Sequence, residues 1–238
     1  DDYEKVLEQI ESSGDTTPEL RKELAMKVFA KTCEYDMDIT YFFNRKLNAS
    51  GGSPEMLDLH YEKVMSLRYG ENPHQRAAFF RNPNNRDANV TNAKILSGKE
   101  LSYNNIVDAD FAIEFVKEFT APAAIFVKHN NPCGAAAAPN VAASPSERSS
   151  MEMAFEAAHK VDPMSAFGCV IAINRKCTVA IVDYMRKEKM FVEIISAPAY
   201  EPQALEMLKE KKNLRILELS GNWEIDYKRR DIKKVAGG

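Results

Sequence analysis

The stretch "APAAIFVKHNNPCGAA", residues 121–136, decides how the chain is read. Its apolar run, residues 123–127, does not alternate with polar residues, which predicts a strand covered on both faces. The run then meets Lys128, His129, two Asn, a Pro, a Cys and a Gly, a composition of turns. The same kind of strand recurs downstream as "CVIAI" (169–173), "FVEII" (191–195) and "LRILEL" (214–219). Helical patterns separate them: "SSMEMAFEAAHKV" (149–161), "TVAIVDYMRKEK" (178–189) with Thr178 as its N-cap, and "EPQALEMLKEK" (201–211). Upstream, "NIVDADFAIEFVKEF" (105–119) repeats Val107, Phe111, Phe115 and Phe119 at helical spacing. "AAFF" (77–80) and "AKIL" (93–96) predict short strands. Strands separated by helices place this part of the chain in the α/β class. There is no internal repeat, and "AAAAPNVAASPSERSS" (135–150) reads as a flexible loop.

The rest of the chain sets bounds. With 238 residues, 45% hydrophobic and 28% charged, it can bury a real core. A net charge of −3 gives no basic field for nucleic acid, and no apolar run is long enough for a membrane span. The first residues are acidic and helical, unlike a signal peptide, and carry no initiator Met, as expected of a piece of something longer. Cys33, Cys133, Cys169 and Cys177 are scattered, which predicts reduced thiols in the cytoplasm. The opening residues predict helices. The first is stopped by Gly14, the second is capped by Thr17 with Pro18 at its first position, and "DITYFFNRKL" forms a third. "NASGGSPEM" (48–56) is linker-like, so we expect helices over 1–47, a linker over 48–66 and the α/β domain over 67–238.

Three chemistries compete for "KHNNPCG". A zinc deaminase needs H-x-E and P-C-x-x-C, but His129 is followed by Asn-Asn and Cys133 by Gly-Ala-Ala, so the ligand set is absent. Cys133 as a nucleophile would take His129 as its base, against the alternative of a small packed thiol. The third reading pairs His129 as a base with the Lys128 ammonium, which disfavours a second positive charge beside it and can stabilise an oxyanion. Neighbours on a strand point to opposite faces, so this reading needs the strand to have ended by Lys128. Against it stands a loop with a solvated Lys and a structural His. "LRYGENPHQ" (67–75) is either a phosphate- or carbonyl-recognising cluster around Arg68 or a well-ordered turn. "KHNNPCG" and "SAPAY" both follow strands, where open sheets bind ligands, whereas "DPMSAFG" (162–168) precedes one.

Taken together, "LRYGENPHQRAAFF", "GKELSYNNIVDAD", "VKHNNPCGAA", "DPMSAFG" and "APAYEPQALEMLKEKKNLRILEL" resemble, in this order, the bifunctional purine biosynthesis (PurH) family. That family combines an aminoimidazole carboxamide ribonucleotide (AICAR) formyltransferase with an inosinate (IMP) cyclohydrolase. The resemblance covers nearly the whole chain. It implies a cytidine-deaminase-like three-layer domain, the first half of the formyltransferase, preceded by the C-terminal helices of a methylglyoxal-synthase-like cyclohydrolase domain. It implies AICAR and 10-formyltetrahydrofolate as substrates and a homodimer, while the sequence itself calls for no metal and no nucleic acid or membrane partner. By resemblance His129 is the base and Lys128 stabilises transition-state charge. Arg68, Tyr69, Asn105, Gly168 and Glu193 contact the nucleotide. Cys169 and Ser196 depart from the residues more usual in the family, Gly and an apolar side chain. The competing expectation is a folded nucleotide-binding or assembly fragment with no turnover of its own.

Overall fold

The computed structural model describes residues 2–47, 59–139, 149–227, 232, 235 and 236, the side chain of Arg45 excepted. The chain divides into two compact units, residues 1–59 and 60–238.

The first unit holds α1 (Tyr3–Ser13) and α2 (Pro18–Leu47). Gly14 ends α1 in the left-handed conformation, φ 77°, and its N–H reaches Ile10 O. Thr17 caps α2 through its hydroxyl, which accepts from Leu20 N at 3.3 Å. The helix then continues through "DITYFF" without the break the sequence reading places there. No Gly or Pro interrupts residues 19–47, so nothing local stops it.

The second unit carries a hairpin of β1 (Glu62–Leu67) and β2 (Ala77–Arg81), and a six-stranded sheet. Strand β1 takes residues that the sequence reading gives to the linker, while 48–58 lie outside the described residues. The sheet comprises β3 (Lys94–Ser97), β4 (Ala123–Lys128), β5 (Asn131–Ala137), β6 (Cys169–Ile173), β7 (Val192–Ala197) and β8 (Arg215–Glu218). Its order is β3-β8-β7-β6-β4-β5. Strands β6, β7 and β8 are parallel, joined through α5 (Val179–Lys187) and α6 (Pro202–Lys209). The β3–β8, β6–β4 and β4–β5 pairs are antiparallel, so the sheet is mixed.

Alternation along the strands fills two cores. Ala123, Ile125 and Val127 of β4 face α3 (Tyr103–Lys117), whose Ile106, Ala109, Ile113 and Val116 are buried against them. Ala124 and Phe126 point the other way, into a core with Phe155 and Ala158 of α4 (Ser150–Val161), Ile181 of α5 and Leu208 of α6. Both faces of β4 and β6 are thus covered, as the continuous apolar runs require. Two capping boxes set the helices: Ser102 with Asn105 on α3, and Ser149 with Glu152 on α4. Thr178 caps α5 as expected. Gly134 is required by close approach, because a Cβ there would sit 2.1 Å from Ala158 O. Among the described residues no helix is long and apolar enough to cross a membrane.

Candidate active site

The polar segment after β4 is not a long turn. Pro132, Cys133 and Gly134, expected in the turn, belong to β5, which runs back beside β4 as the sheet's edge. An edge strand tolerates the missing N–H of Pro132. The pairing skips Cys133, between Phe126↔Gly134 and Val127↔Pro132, so that residue is a bulge. Only His129 and Asn130 remain to make the turn, flanked by the Lys128↔Asn131 pair. Both have positive φ, 53° and 59°, as a two-residue type I′ hairpin demands. The strand has not ended by Lys128, the condition set for the base–cation pair: Lys128 is its last residue, and the turn begins at His129.

Three hydrogen bonds hold this tip. Lys128 Nζ donates to Phe167 O at 2.7 Å, Asn131 Nδ2 to His129 O at 2.9 Å, and Asn130 N to Asp108 Oδ1 of α3 at 2.6 Å. The His129 ring is exposed and Lys128 half-buried. Cys133 points its thiol at Phe126 O, 3.5 Å away, and burial pushes its pKa up. A thiol so placed fits the packed alternative better than an activated nucleophile.

The direction of β4 explains how "DPMSAFG" arrives here. Because β4 is antiparallel to β6, the carboxyl end of one lies beside the amino end of the other, with Val127 opposite Val170. No crossover is needed to bring residue 168 to Lys128. The segment is ordered by Asp162, whose carboxylate accepts from Ser165 Oγ (2.6 Å) and Ser165 N (3.0 Å) and is held below its usual pKa by those bonds. Gly168 has φ 77° and its N–H reaches Phe191 O at 2.7 Å. A Cβ there would meet Phe191 only at ordinary contact distance, so the backbone conformation is what calls for glycine. The same geometry corrects another expectation: "SAPAY" lies at the carboxyl end of β7, at the opposite end of the strands from "KHNNPCG". There Tyr200 Oη is buried within 2.9 Å of Ile195 O and 2.8 Å of Leu217 O, a structural corner.

Glu193 sits at the amino end of β7, on the Lys128 side. The β6–β7 register jumps from Cys169↔Val192 to Val170↔Ile194, which makes Glu193 a bulge residue re-aimed toward α3. Asn105 Nδ2 donates to Glu193 Oε2 at 2.8 Å, and Arg215 Nη1 lies 3.9 Å from the same oxygen. Arg215 also donates from Nε to Glu100 O at 3.1 Å. It lines a cavity of about 320 Å³ together with Arg68, Tyr69, Lys99 and Ser102, the N-cap of α3. Arg68 stacks on Tyr69, its guanidinium carbon 4.8 Å from the ring centre, and Nη2 reaches Tyr69 Oη at 3.1 Å. The "GENPHQ" that follows closes on itself through Gly70 N to Gln75 O and Asn72 N to Gln75 Oε1, a well-ordered turn.

The predicted residues therefore fall into two groups at one end of the sheet's strands. Lys128, His129 and Gly168 form the first. Arg68 and Tyr69, joined through Arg215 to Glu193 and Asn105, form the second. Between them lies the buried Cys169 thiol, raised in pKa by burial and within reach of both the Lys128 and Glu193 charges. Asp108, Arg215 and Lys99 were missed by sequence reasoning. Asp108 had a readable signal, since it stands three residues after Asn105 and so shares its helix face. Arg215, the polar start of an apolar strand, had none.

The sequence model of the AICARFT/IMPCHase bienzyme family matches residues 1–238. The chain belongs to that family. It is 44% identical over 237 residues to the bifunctional purine biosynthesis protein PurH of a Thermoanaerobacter species, covering 100% of this chain and 43% of the relative. It is 46% identical over 218 residues to PurH of Oceanobacillus iheyensis, covering 92% and 40%. The PurH of Halalkalibacterium halodurans is 42% identical over 237 residues, with 100% and 43% covered. The chain thus spans less than half the length of these relatives, and the family's mixed α/β unit here is residues 60–238.

Proposed function

We propose that residues 60–238 carry part of an AICAR formyltransferase site in de novo purine biosynthesis. The intact protein would also close the formylated product to IMP. The observation that carries this reading is the hairpin tip: an ammonium fixed at the end of a buried strand, followed at once by an exposed imidazole on a two-residue turn. In formyl transfer the 5-amino nitrogen of the ribonucleotide attacks the formyl carbon of 10-formyltetrahydrofolate. That amine is conjugated with its ring and is a weak nucleophile. His129 takes its proton as the C–N bond forms, a contribution of about 10²–10⁴-fold for a positioned base. The Lys128 ammonium faces the oxygen that becomes negative in the tetrahedral adduct. Collapse breaks the bond to N10 of the folate, which leaves with a proton.

The second group fits the nucleotide. Arg68, Lys99 and Arg215 line one cavity together with a single carboxylate, Glu100, a net cationic environment suited to a phosphate. The Glu193 carboxylate, held by Asn105, is an acceptor of the kind that ribose hydroxyls donate to. Gly168, with Phe167 O turned to Lys128, keeps the wall beside the pair free of a side chain. We further propose that this unit is the first cytidine-deaminase-like half of the formyltransferase domain. On this reading the helices of residues 1–47 end a methylglyoxal-synthase-like cyclohydrolase domain, and the intact protein works as a cytoplasmic homodimer. The alternation of strands and helices in residues 60–238 supports the first of these, and the family membership supports the rest.

The experiment compares the full-length protein with the 238-residue chain in formyl transfer from 10-formyltetrahydrofolate to AICAR, with nucleotide binding measured by calorimetry. Full-length turnover, with binding weakened at least tenfold by Arg68→Ala, about 1.4 kcal/mol, is the expected result. Absence of formyl transfer by the full-length protein would refute the reading.

A further inference from the structure

Type I′ turns favour Asn-Gly or Gly-Gly because both central residues need positive φ. This hairpin uses His129 and Asn130, at 53° and 59°, neither of them glycine. Such a turn costs conformational energy and persists only where its surroundings over-determine it. The surroundings supply a specific hold. The N–H of Asn130, the second turn residue, would ordinarily face solvent. Here it donates to Asp108 Oδ1, 22 residues earlier on α3, at 2.6 Å, the short distance of a carboxylate acceptor.

The helix that presents Asp108 is itself fixed. Its first turn is closed by the reciprocal Ser102–Asn105 bonds, and Ile106, Ala109 and Ile113 are buried against the sheet. Asn105 and Asp108 are one helical turn apart and share a face. From that face Asn105 holds Glu193 and Asp108 holds the tip that carries His129. One rigid helix therefore sets the spacing between the two groups of the site.

We propose that Asp108 is a positioning residue for formyl transfer, acting through the Asn130 N–H to aim the His129 imidazole. The proposal rests on the reading of His129 as the base. What Asp108 supplies is the acceptor oxygen, so its negative charge is secondary. Displacing a catalytic group by about 1 Å can cost about 10²-fold in rate.

The test uses the full-length protein with Asp108→Ala, Asp108→Asn and His129→Ala, reading kcat and KM in formyl transfer and hydrogen exchange at the Asn130 amide. Asp108→Ala is expected to lose about 10²-fold in kcat, with KM for the nucleotide within about threefold of wild type. It should also speed exchange at Asn130 by about tenfold or more. Asp108→Asn, which keeps an oxygen in place, should restore both kcat and protection. A merely structural role would not couple turnover to that single amide or be repaired by a neutral acceptor. Should Asp108→Ala not fold, Asp108→Ser takes its place, since its hydroxyl stops a bond short of Asn130. The proposal is overturned if kcat stays within threefold of wild type while His129→Ala is inactive. It is overturned equally if kcat falls without a change at the Asn130 amide, or if Asp108→Asn is as slow as Asp108→Ala. If His129→Ala turns over at the wild-type rate, the base assignment falls and this proposal falls with it.

Discussion

Replacing His129 by Gly should make the protein more stable and stop it working. The backbone at His129 has φ 53°, where an L-residue is disfavoured by about 1–2 kcal/mol because its Cβ crowds the following carbonyl. Glycine removes that crowding but loses about 0.5–1 kcal/mol of additional backbone freedom on folding. The ring is exposed, so little packing is lost with it. The net is a gain of about 0.5–1 kcal/mol, which for a chain of this size raises Tm by about 1–4 °C. Thermal and guanidinium unfolding of wild type and His129→Gly measure it. Asn130→Gly serves as a control with a smaller gain, because Asn already tolerates the left-handed region. In the full-length protein the same His129→Gly should lower kcat by about 10²–10⁴-fold. Stability rising as activity disappears marks a residue kept for chemistry. A loss of more than about 0.5 kcal/mol would show that the imidazole braces the turn, and would refute this reasoning.

Three further predictions concern two buried side chains, Ser196 and His159, and the half-buried Cys133. Ser196 Oγ is buried in β7 with no hydrogen-bond partner among the described residues, so Ser196→Ala should be neutral or stabilising by up to about 1 kcal/mol in urea unfolding; a loss above 1 kcal/mol would contradict this. Cys133 has a thiol raised in pKa by burial and bonded to a backbone carbonyl, so Cys133→Ala should keep formyl transfer within about threefold of wild type, under ~1 kcal/mol. His159 is buried beside Phe126, with Nδ1 3.0 Å from Tyr184 Oη, and burial lowers its pKa from 6.5. The unfolded chain therefore binds this proton first, and stability should fall as pH drops through about 6.5 and below. The slope of Tm against pH in that range should flatten in His159→Gln; an unchanged slope would place the effect elsewhere.

Much of this fold was legible because burial writes itself into composition. The runs at 123–127 and 169–173 lack alternation because helices cover both faces, and Thr17, Gly14 and Thr178 mark helix ends by their own hydrogen bonds or conformation. Strand direction was not legible, since nothing in "AAIFV" or "CVIAI" says they run antiparallel. That one fact moves "DPMSAFG" next to Lys128 and sends "SAPAY" to the far end of the strands. Bulges were equally silent. Cys133 leaves the ladder within its own hairpin and Glu193 against β6, and in both the register shift is set by strand pairing that the composition of the segment does not announce. The turn was misjudged for a related reason. With Asn, Pro and Gly following, turn propensity pointed past His129, but the edge position of β5 accepts Pro132 and leaves His-Asn to turn the chain. Of the site, Lys128 and His129 stood out as a polar break after an apolar strand. The holds at Asp108, Phe167 O and Arg215 are contacts across the fold that only coordinates reveal.

The central claim is that His129 on this hairpin tip is the base of formyl transfer. The most direct measurement is the single-turnover rate of formyl transfer to AICAR in the full-length protein, wild type against His129→Ala. A fall of about 10²-fold or more with nucleotide affinity preserved is predicted. A rate equal to wild type in a folded, nucleotide-binding His129→Ala protein would contradict it.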